Sequence, residues 1–453
     1  MVVAVSQQQS PISLVNDPLY VGVDVGNDSH VAAFCSRYLQ RKHKTFTKYP
    51  TMNVANSRLE FEHLVAKMRI YAPLDQCIVI MEKTGHYHLP LLQYLQERGV
   101  TVYLLHVQKK PRGQKNDRID AQRLANTGFA QLELGAQPES PDKELHQVRP
   151  ATEISIILRE ATQYYRDLAR QIVRDKNQLT AIGDQLFPEL SLIFKDINGP
   201  SALVFRERFP TPHDMFLASL DELIETRPYN YPSRDALIKL QELAAHSIGL
   251  RDQGHVRSLV LQQSLLIKQL RVLLDNEEAV KREITDIVKE SREGQILLSL
   301  GNFVGCLAAG EIIACIGDIH NFETPGKFKG YTGWIPVEDQ SGKSFFGVAL
   351  SRGGNRILRD AMFLIAMRAV NKKYDGTAWR DLYERLVERQ CPYDAKKKRR
   401  TGRLRPLSRV AGQIAGMIYQ FLKKDAEVVA ATPGARPALY NKDVHMAHMK
   451  RRR

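Results

Sequence analysis

A chain of 453 residues, 43% apolar and 25% charged, has the material for two or three domains with real cores and the balance of an ordinary globular protein. No apolar run approaches the ~18 residues of a membrane span, and the opening MVVAVSQQQSPISLVND lacks the basic start and apolar core of a secretory signal. A membrane role is therefore excluded and a cytoplasmic one expected. Cys35, Cys77, Cys306, Cys315 and Cys391 are scattered with no C-x-x-C pair, as suits reduced thiols rather than a zinc site or a disulfide framework. The net charge of +15 is unevenly placed. From Ala395 to Arg453 there are 16 Lys and Arg against 3 acids, a net of +13 that leaves about +2 for everything before it. A basic segment on a near-neutral body suits a polyanionic partner; a merely solvated charged end is the plainer alternative.

In chain order, Leu19 to Val25 (LYVGVDV) is a short apolar run ending in Asp-Val-Gly-Asn, which predicts a strand and a turn. His30 to Cys35 and Lys44 to Lys48 are the next strand candidates. Asn56 to Tyr71 places apolar residues close to helical spacing. Gln76 to Met81 reads as a buried strand with Glu82 at its end, Leu89 to Arg98 as a helix, Val100 to Leu105 as a strand and Arg118 to Ala130 as a helix. Strand–helix alternation in the second half of this region predicts parallel pairing with helices packed on the sheet. Two long four-three repeats follow, one from Ile154 to Ile182 and one from Leu266 to Ile287, broken at Asp175 and Glu277. They suit a coiled-coil helical hairpin or two ordinary amphipathic helices. The proline-rich stretch 187–249 between them reads as a compact insert at the hairpin tip. Leu297 to Gly317 carries L-G-x-x-x-G before a small-residue helix, resembling a helix-hairpin-helix element that lets backbone amides approach a phosphate. A glycine-linked helical hairpin without a ligand fits equally. Ile357 to Val370 is an apolar helix, Lys396 to Arg400 (KKKRR) opens the basic segment, and Ile414 to Leu422 is a further helix within it.

The chemistry is concentrated in Asp24, Glu82, Asp117 and Asp120. Asp24 sits at the centre or end of an apolar strand, Glu82 ends another, and Asp117 and Asp120 stand i and i+3 at a helix start, on one face. Capping and the helix dipole explain Asp117 well and Asp120 partly. They do not explain Asp24, since an acid in a half-buried strand is costly unless it meets a cation. Carboxylates converging at strand ends make a hard-oxygen site for Mg²⁺, and two such ions about 4 Å apart can drive phosphodiester cleavage. The four acids are therefore expected to come within metal-binding reach on one sheet edge.

VGVDVGNDSH, MEKTGHY and KNDRIDAQRLA together resemble the RuvC-like domain of the DEDD transposases, the IS-one-ten family of bacterial insertion sequences. Glu82, Thr84, Gly85 and Tyr87 match the family's E-x-T-G-x-Y, and Lys115, Asp117, Asp120 and Ala121 its K-x-D-x-x-D-A. The stretch from LLSLGNFVG to VEDQSGKS looks like the family's transposase domain, and SRGGNRILRDAMFLIAM resembles its closing S-x-x-G-N-x-x-L-R helix. The resemblance implies an RNase H-like α/β domain, a helical hairpin or coiled coil, and a mostly helical C-terminal domain. It implies a recombinase acting on donor and target DNA, guided by a structured (bridge) RNA of the element, with Mg²⁺ on Asp24, Glu82, Asp117 and Asp120. It also implies a serine nucleophile, which falls at Ser341 of QSGKS; Ser344 and Ser351 are nearby rivals. Lys115, Arg352, Asn355, Arg356 and the basic run Lys396, Lys397, Lys398, Arg399 and Arg400 are the nucleic-acid-binding candidates.

The expected layout is an N-terminal extension (1–18), a RuvC-like domain (19–135), the hairpin (150–292) with its insert (187–249), a transposase domain (293–390) and a basic helix and tail (391–453). A homo-oligomer, dimer or tetramer, is expected, because two DNA strands must be exchanged and coiled coils commonly pair protomers. Three rival functions compete. An actin-like ATPase would need a second phosphate strand, which VNKKY before Asp375-Gly376 does not supply. A junction nuclease would need the acids but not Ser341. A non-catalytic nucleic-acid-binding protein would need neither.

Overall fold

The computed structural model describes residues 17–82, 85–105, 116–138, 144–148, 151–341, 345–350, 353–374 and 378–441, with the backbone alone for 336–341 and 345–350. The chain forms two compact units, 1–149 and 150–453.

The first unit is a mixed sheet with helices on both faces. Its elements are β1 (Leu19–Asp24), β2 (Ser29–Cys35), α1 (Arg37–His43), β3 (Thr51–Ala55), α2 (Arg58–Tyr71), β4 (Cys77–Glu82), α3 (Leu89–Gln96), β5 (Thr101–Leu105), α4 (Asp117–Gly128) and β6 (His146–Gln147). The strand order is β3-β2-β1-β4-β5-β6. β2 pairs antiparallel with β1 and β3, while β1, β4 and β5 run parallel. Period-two alternation explains why β1 is apolar throughout. Leu19, Val21 and Val23 enter one core with Phe61, Leu64, Val65 and Met68 of α2, while Tyr20 enters a second with Ala121, Leu124 and Ala125 of α4. The i, i+3, i+4, i+7 spacing of that apolar set lays α2 on the sheet, and Ser57 caps its start by accepting from Glu60 N.

One strand is not where the sequence suggests. Lys44 to Lys48 is no strand: Arg37–His43 is helical, 46–48 is a single 3-10 turn, and the third strand is Thr51–Ala55. Ser36 starts α1 by accepting from Leu39 N, and the chain then turns so that Thr51 to Ala55 pairs with Ala33 to Ser29. The alternation of KTFTK is satisfied by no neighbouring strand.

The second unit is helical. α5 (Glu153–Leu186) and α10 (Gln253–Glu290) are its long members, and Leu168, Ile172 and Leu179 of the first pack with Ile267, Leu270 and Leu273 of the second. Between them, α6 (Pro200–Arg208), α7 (Pro212–Leu217), α8 (Leu220–Thr226) and α9 (Arg234–Ala245) enclose a core of their own around Phe194, Phe205, Leu223 and Leu237. Beyond α10 come α11 (Arg292–Ser299), α12 (Cys306–Ile316), α13 (Pro325–Thr332), the hairpin β7 (Pro336–Ser341) and β8 (Phe345–Leu350), α14 (Arg356–Ala369), α15 (Ala378–Gln390), the short ribbon β9 (Tyr393–Asp394) and β10 (Arg399–Arg400), and α16 (Leu404–Ala431). α16 is longer than Ile414 to Leu422 suggests. Val410, Ala411, Ile414, Ala415 and Ile418 are fully buried in a core shared with α13 and α14. The basic region thus contains a 28-residue core helix. Arg166 joins α5 to Glu311 of α12 at 2.7 Å, and Arg292 forks onto Asp425 of α16 at 2.6 and 2.8 Å. No helix of the described residues is long and apolar enough to cross a membrane.

Arg206 fixes the small helices to the long pair. It is 3% exposed, and its guanidinium donates to Gln263 Oε1 (2.9 Å), Asn198 Oδ1 (2.9 Å) and the carbonyls of Leu179 (2.6 Å) and Ile197 (3.1 Å). Burial lowers its pKa to about 10, so it stays charged at neutral pH. Arg206→Ala leaves these buried acceptors without a donor and opens a cavity, at a cost of about 3 kcal/mol or more. Urea unfolding of the full chain is expected to show a matching loss of stability; a change below about 0.5 kcal/mol, the scale of a surface substitution, would contradict the role.

Candidate active site

The four acids are brought to one corner of the first unit. β1 and β4 run side by side, with Val23 in register with Met81, so Asp24 and Glu82 end adjacent parallel strands. Alternation puts Asp24 on the face of Tyr20 and Gly22, and Glu82 on the face of Ile80. Tyr20 and Ile80 share a core with Ala121, Leu124 and Ala125, so this is the face that α4 covers. α4 runs antiparallel to β1. Its end carries Phe129, whose ring meets Tyr20 edge-on at 5.7 Å, while Ala121 stands over Gly22. The first turn, with Asp117 and Asp120, therefore points toward the strand ends that carry Asp24 and Glu82. Gln122 Nε2 holds the helix to the Tyr49 carbonyl at 2.8 Å, and Arg118 Nε to Thr51 at 3.2 Å.

Glu82 and Asp120 are buried, Asp24 is half-buried and Asp117 is exposed. Capping does not account for Asp117: the cap is Asn116, whose side chain accepts from the Arg118 and Ile119 amides. Asp120 accepts from Arg123 at 2.9 Å. Sequence reading overlooked Arg123; its spacing of i+3 from Asp120 was the available signal. Among the described residues, no three acids, histidines or cysteines stand close enough to share a metal ion. Convergence within metal-binding reach is therefore not met by the side chains as they stand; what is met is their common corner. Behind that corner, on the α2 face, His30 is fully buried, its pKa lowered by burial, and Nδ1 accepts from Gly26 N at 3.4 Å, bracing the turn after Asp24.

The remaining candidates lie in the second unit, apart from Lys115, which like Arg352, Ser344 and Ser351 falls outside the described residues. Ser341 ends β7, paired with Phe345 across the hairpin. Asn355 is committed to the fold: its side chain caps α14 by accepting from Leu358 N at 3.1 Å and donates to Tyr331 Oη at 3.1 Å. Arg356 beside it is exposed. Gly305 starts α12 with Arg368 close by, whose Nη1 stands 2.9 Å from where a Cβ would be.

Lys396, Lys397 and Lys398, on the turn between β9 and β10, and Arg399, which opens β10, are exposed. Asp394 Oδ1 accepts from the amides of Lys396 and Lys397 at 3.0 and 3.1 Å, and Arg400 is anchored to the Cys391 carbonyl at 2.8 Å. The cations therefore sit on a folded ribbon and can meet phosphates with little ordering cost. Alanine at the four exposed positions is expected to flatten the salt dependence of duplex-DNA binding by about one unit of log–log slope for each phosphate no longer neutralised, alike for all sequences. An unchanged slope rules out phosphate binding by the ribbon.

Residues 21–188 match the DEDD family model for a transposase, and residues 301–384 match a second model described as a transposase of the IS116/IS110/IS902 family. Over 275 residues, 60% of this chain, it is 24% identical to the "Insertion element IS110 uncharacterized 43.6 kDa protein" of Streptomyces coelicolor. The match spans 64% of that relative's length. The first model contains Asp24, Glu82, Asp117 and Asp120, the second contains Ser341, and the two stand in the order that the motifs predict. The chain belongs to the IS110 family of transposases.

Proposed function

We propose that this protein is the recombinase of an insertion sequence, cutting and rejoining donor and target DNA strands with the carboxylate corner of an RNase H-like unit. The observation that carries the reading is that Asp24 and Glu82 end two adjacent parallel strands while Asp117 and Asp120 lie in the first turn of the helix that covers that face. Acids gathered at one corner repel one another, which a divalent cation relieves. The donor set is all oxygen, as Mg²⁺ requires, and these four residues would hold it. Bound there, such an ion supplies charge stabilisation on the phosphate and eases deprotonation of an attacking hydroxyl.

Ser341 is the nucleophile in this reading, on the strength of the family resemblance at QSGKS. Its Oγ–P bond forms as the P–O bond to the departing sugar oxygen breaks, and the hydroxyl proton ends on that oxygen. The phosphodiester energy is kept in the serine ester, so the reverse attack by another strand's hydroxyl rejoins DNA without a cofactor. The exposed basic ribbon supports backbone binding, and the family resemblance supports an RNA guide and action as a dimer or larger assembly. The test is strand exchange by the full chain with element-end DNA, target DNA and the adjoining noncoding RNA. Exchange that requires Mg²⁺ and stops with EDTA is expected; exchange indifferent to EDTA would overturn the metal-dependent reading.

A further inference from the structure

We propose that Gly22 is a positioning residue for the carboxylate corner: its missing side chain lets the α4 backbone rest directly on β1 and so sets where Asp117 and Asp120 stand. A Cβ at Gly22 would lie 2.2 Å from Ala121 O, 2.2 Å from Ala125 N and 2.8 Å from Leu124 C. All three are backbone atoms, and ordinary contact begins at 3.4 Å. No rotamer change relieves them, so the helix itself must lift by about 1 Å. The close approach lies on the same strand face as Asp24, two residues before it, and Ala121 directly follows Asp120. Displacement at Ala121 is therefore passed to the acids of the first turn. A shared ion requires the side chains of Asp117 and Asp120 to close toward Asp24 and Glu82, and a helix lifted off β1 moves them the other way.

Gly128, at the other end of the helix, supplies the internal comparison. Its added Cβ would meet Ile80 Cδ1 at 2.4 Å and Cγ1 at 2.8 Å, side-chain atoms of a fully buried residue. Gly22 thus meets helix backbone beside Asp120, whereas Gly128 meets a side chain at the end of the helix away from Asp117 and Asp120. A glycine inside an apolar strand is the sequence-level mark of such a close backbone approach.

The inference rests on the proposed metal reading. The experiment is Mn²⁺ titration of the full chain by electron paramagnetic resonance, comparing the natural protein, G22A, G128A and D24N, with far-ultraviolet circular dichroism on each. G22A is expected to keep its secondary structure but bind Mn²⁺ at least about tenfold more weakly, the scale of removing a group that holds a metal ligand in place, with G128A losing severalfold less than G22A. Absence of saturable Mn²⁺ binding in the natural protein, or equal binding by D24N, sinks the metal reading itself. Natural binding matched within about twofold by G22A, or a loss in G128A as large as in G22A, overturns the role of Gly22 alone. If G22A does not fold, Ala125→Ser crowds the same helix–strand approach more gently. A severalfold loss of Mn²⁺ affinity there supports the proposal, and unchanged affinity overturns it.

Discussion

Ser341→Ala is expected to leave nucleic-acid binding intact while abolishing both the covalent protein–DNA adduct and strand exchange. Only Oγ is removed, so the basic ribbon and the acid corner are untouched. Yet no other group at that position can form the phosphoester that stores the energy for rejoining. Loss of a nucleophile in a covalent mechanism typically removes several orders of magnitude of rate. Ser341 closes β7 and lies in the second unit, whereas the acids lie in the first. The measurement is denaturing gel electrophoresis of labelled DNA after reaction, in parallel with Ser344→Ala, which is expected to retain adduct and exchange at least in part. Robust recombination by Ser341→Ala would falsify the assignment and leave a hydrolytic junction nuclease as the better description.

Asp24→Asn and Glu82→Gln are each expected to lower strand cleavage by about a thousandfold or more, with DNA affinity changed little. These acids end the two central parallel strands, so both are held by the most rigid part of the unit. Neutralising either keeps shape and hydrogen-bonding size but removes one negative charge, and electrostatic stabilisation of the developing charge is typically the largest catalytic contribution. Asp117→Asn is expected to be milder, since Asp117 is exposed on the first turn of α4 and can be replaced in part by water. Single-turnover cleavage at saturating Mg²⁺ separates the chemical step from binding. Asp24→Asn cleaving within tenfold of the natural protein would exclude this corner as the site of chemistry.

Much of this organisation was legible from residue pattern. β1, β4 and β5 are short apolar runs, α2 carries its apolar residues at 3.6-residue spacing, and the acids stand at the ends of those elements. Local physics decides such features: period, propensity and the cost of an acid in an apolar strand. The four-three repeats likewise marked α5 and α10, since each needs an apolar stripe along its full length.

The misread features are those whose outcome depended on a distant neighbour. KTFTK and TMNVA are both plausible strands, and only the antiparallel register against β2 selected the second. Asn355 suited a phosphate ligand by type, but the nearby Leu358 amide and Tyr331 hydroxyl claim its side chain. Within the basic C-terminal region the helix runs well beyond Ile414 to Leu422, because α13 and α14 offer an apolar surface for it. Residue type and spacing by themselves determined the acids, the family motifs and the long helices. The tertiary structure alone decided how those acids are grouped. Gly22 lies far from Ala121 along the chain, and only the fold shows that a helix backbone occupies the space its side chain would fill.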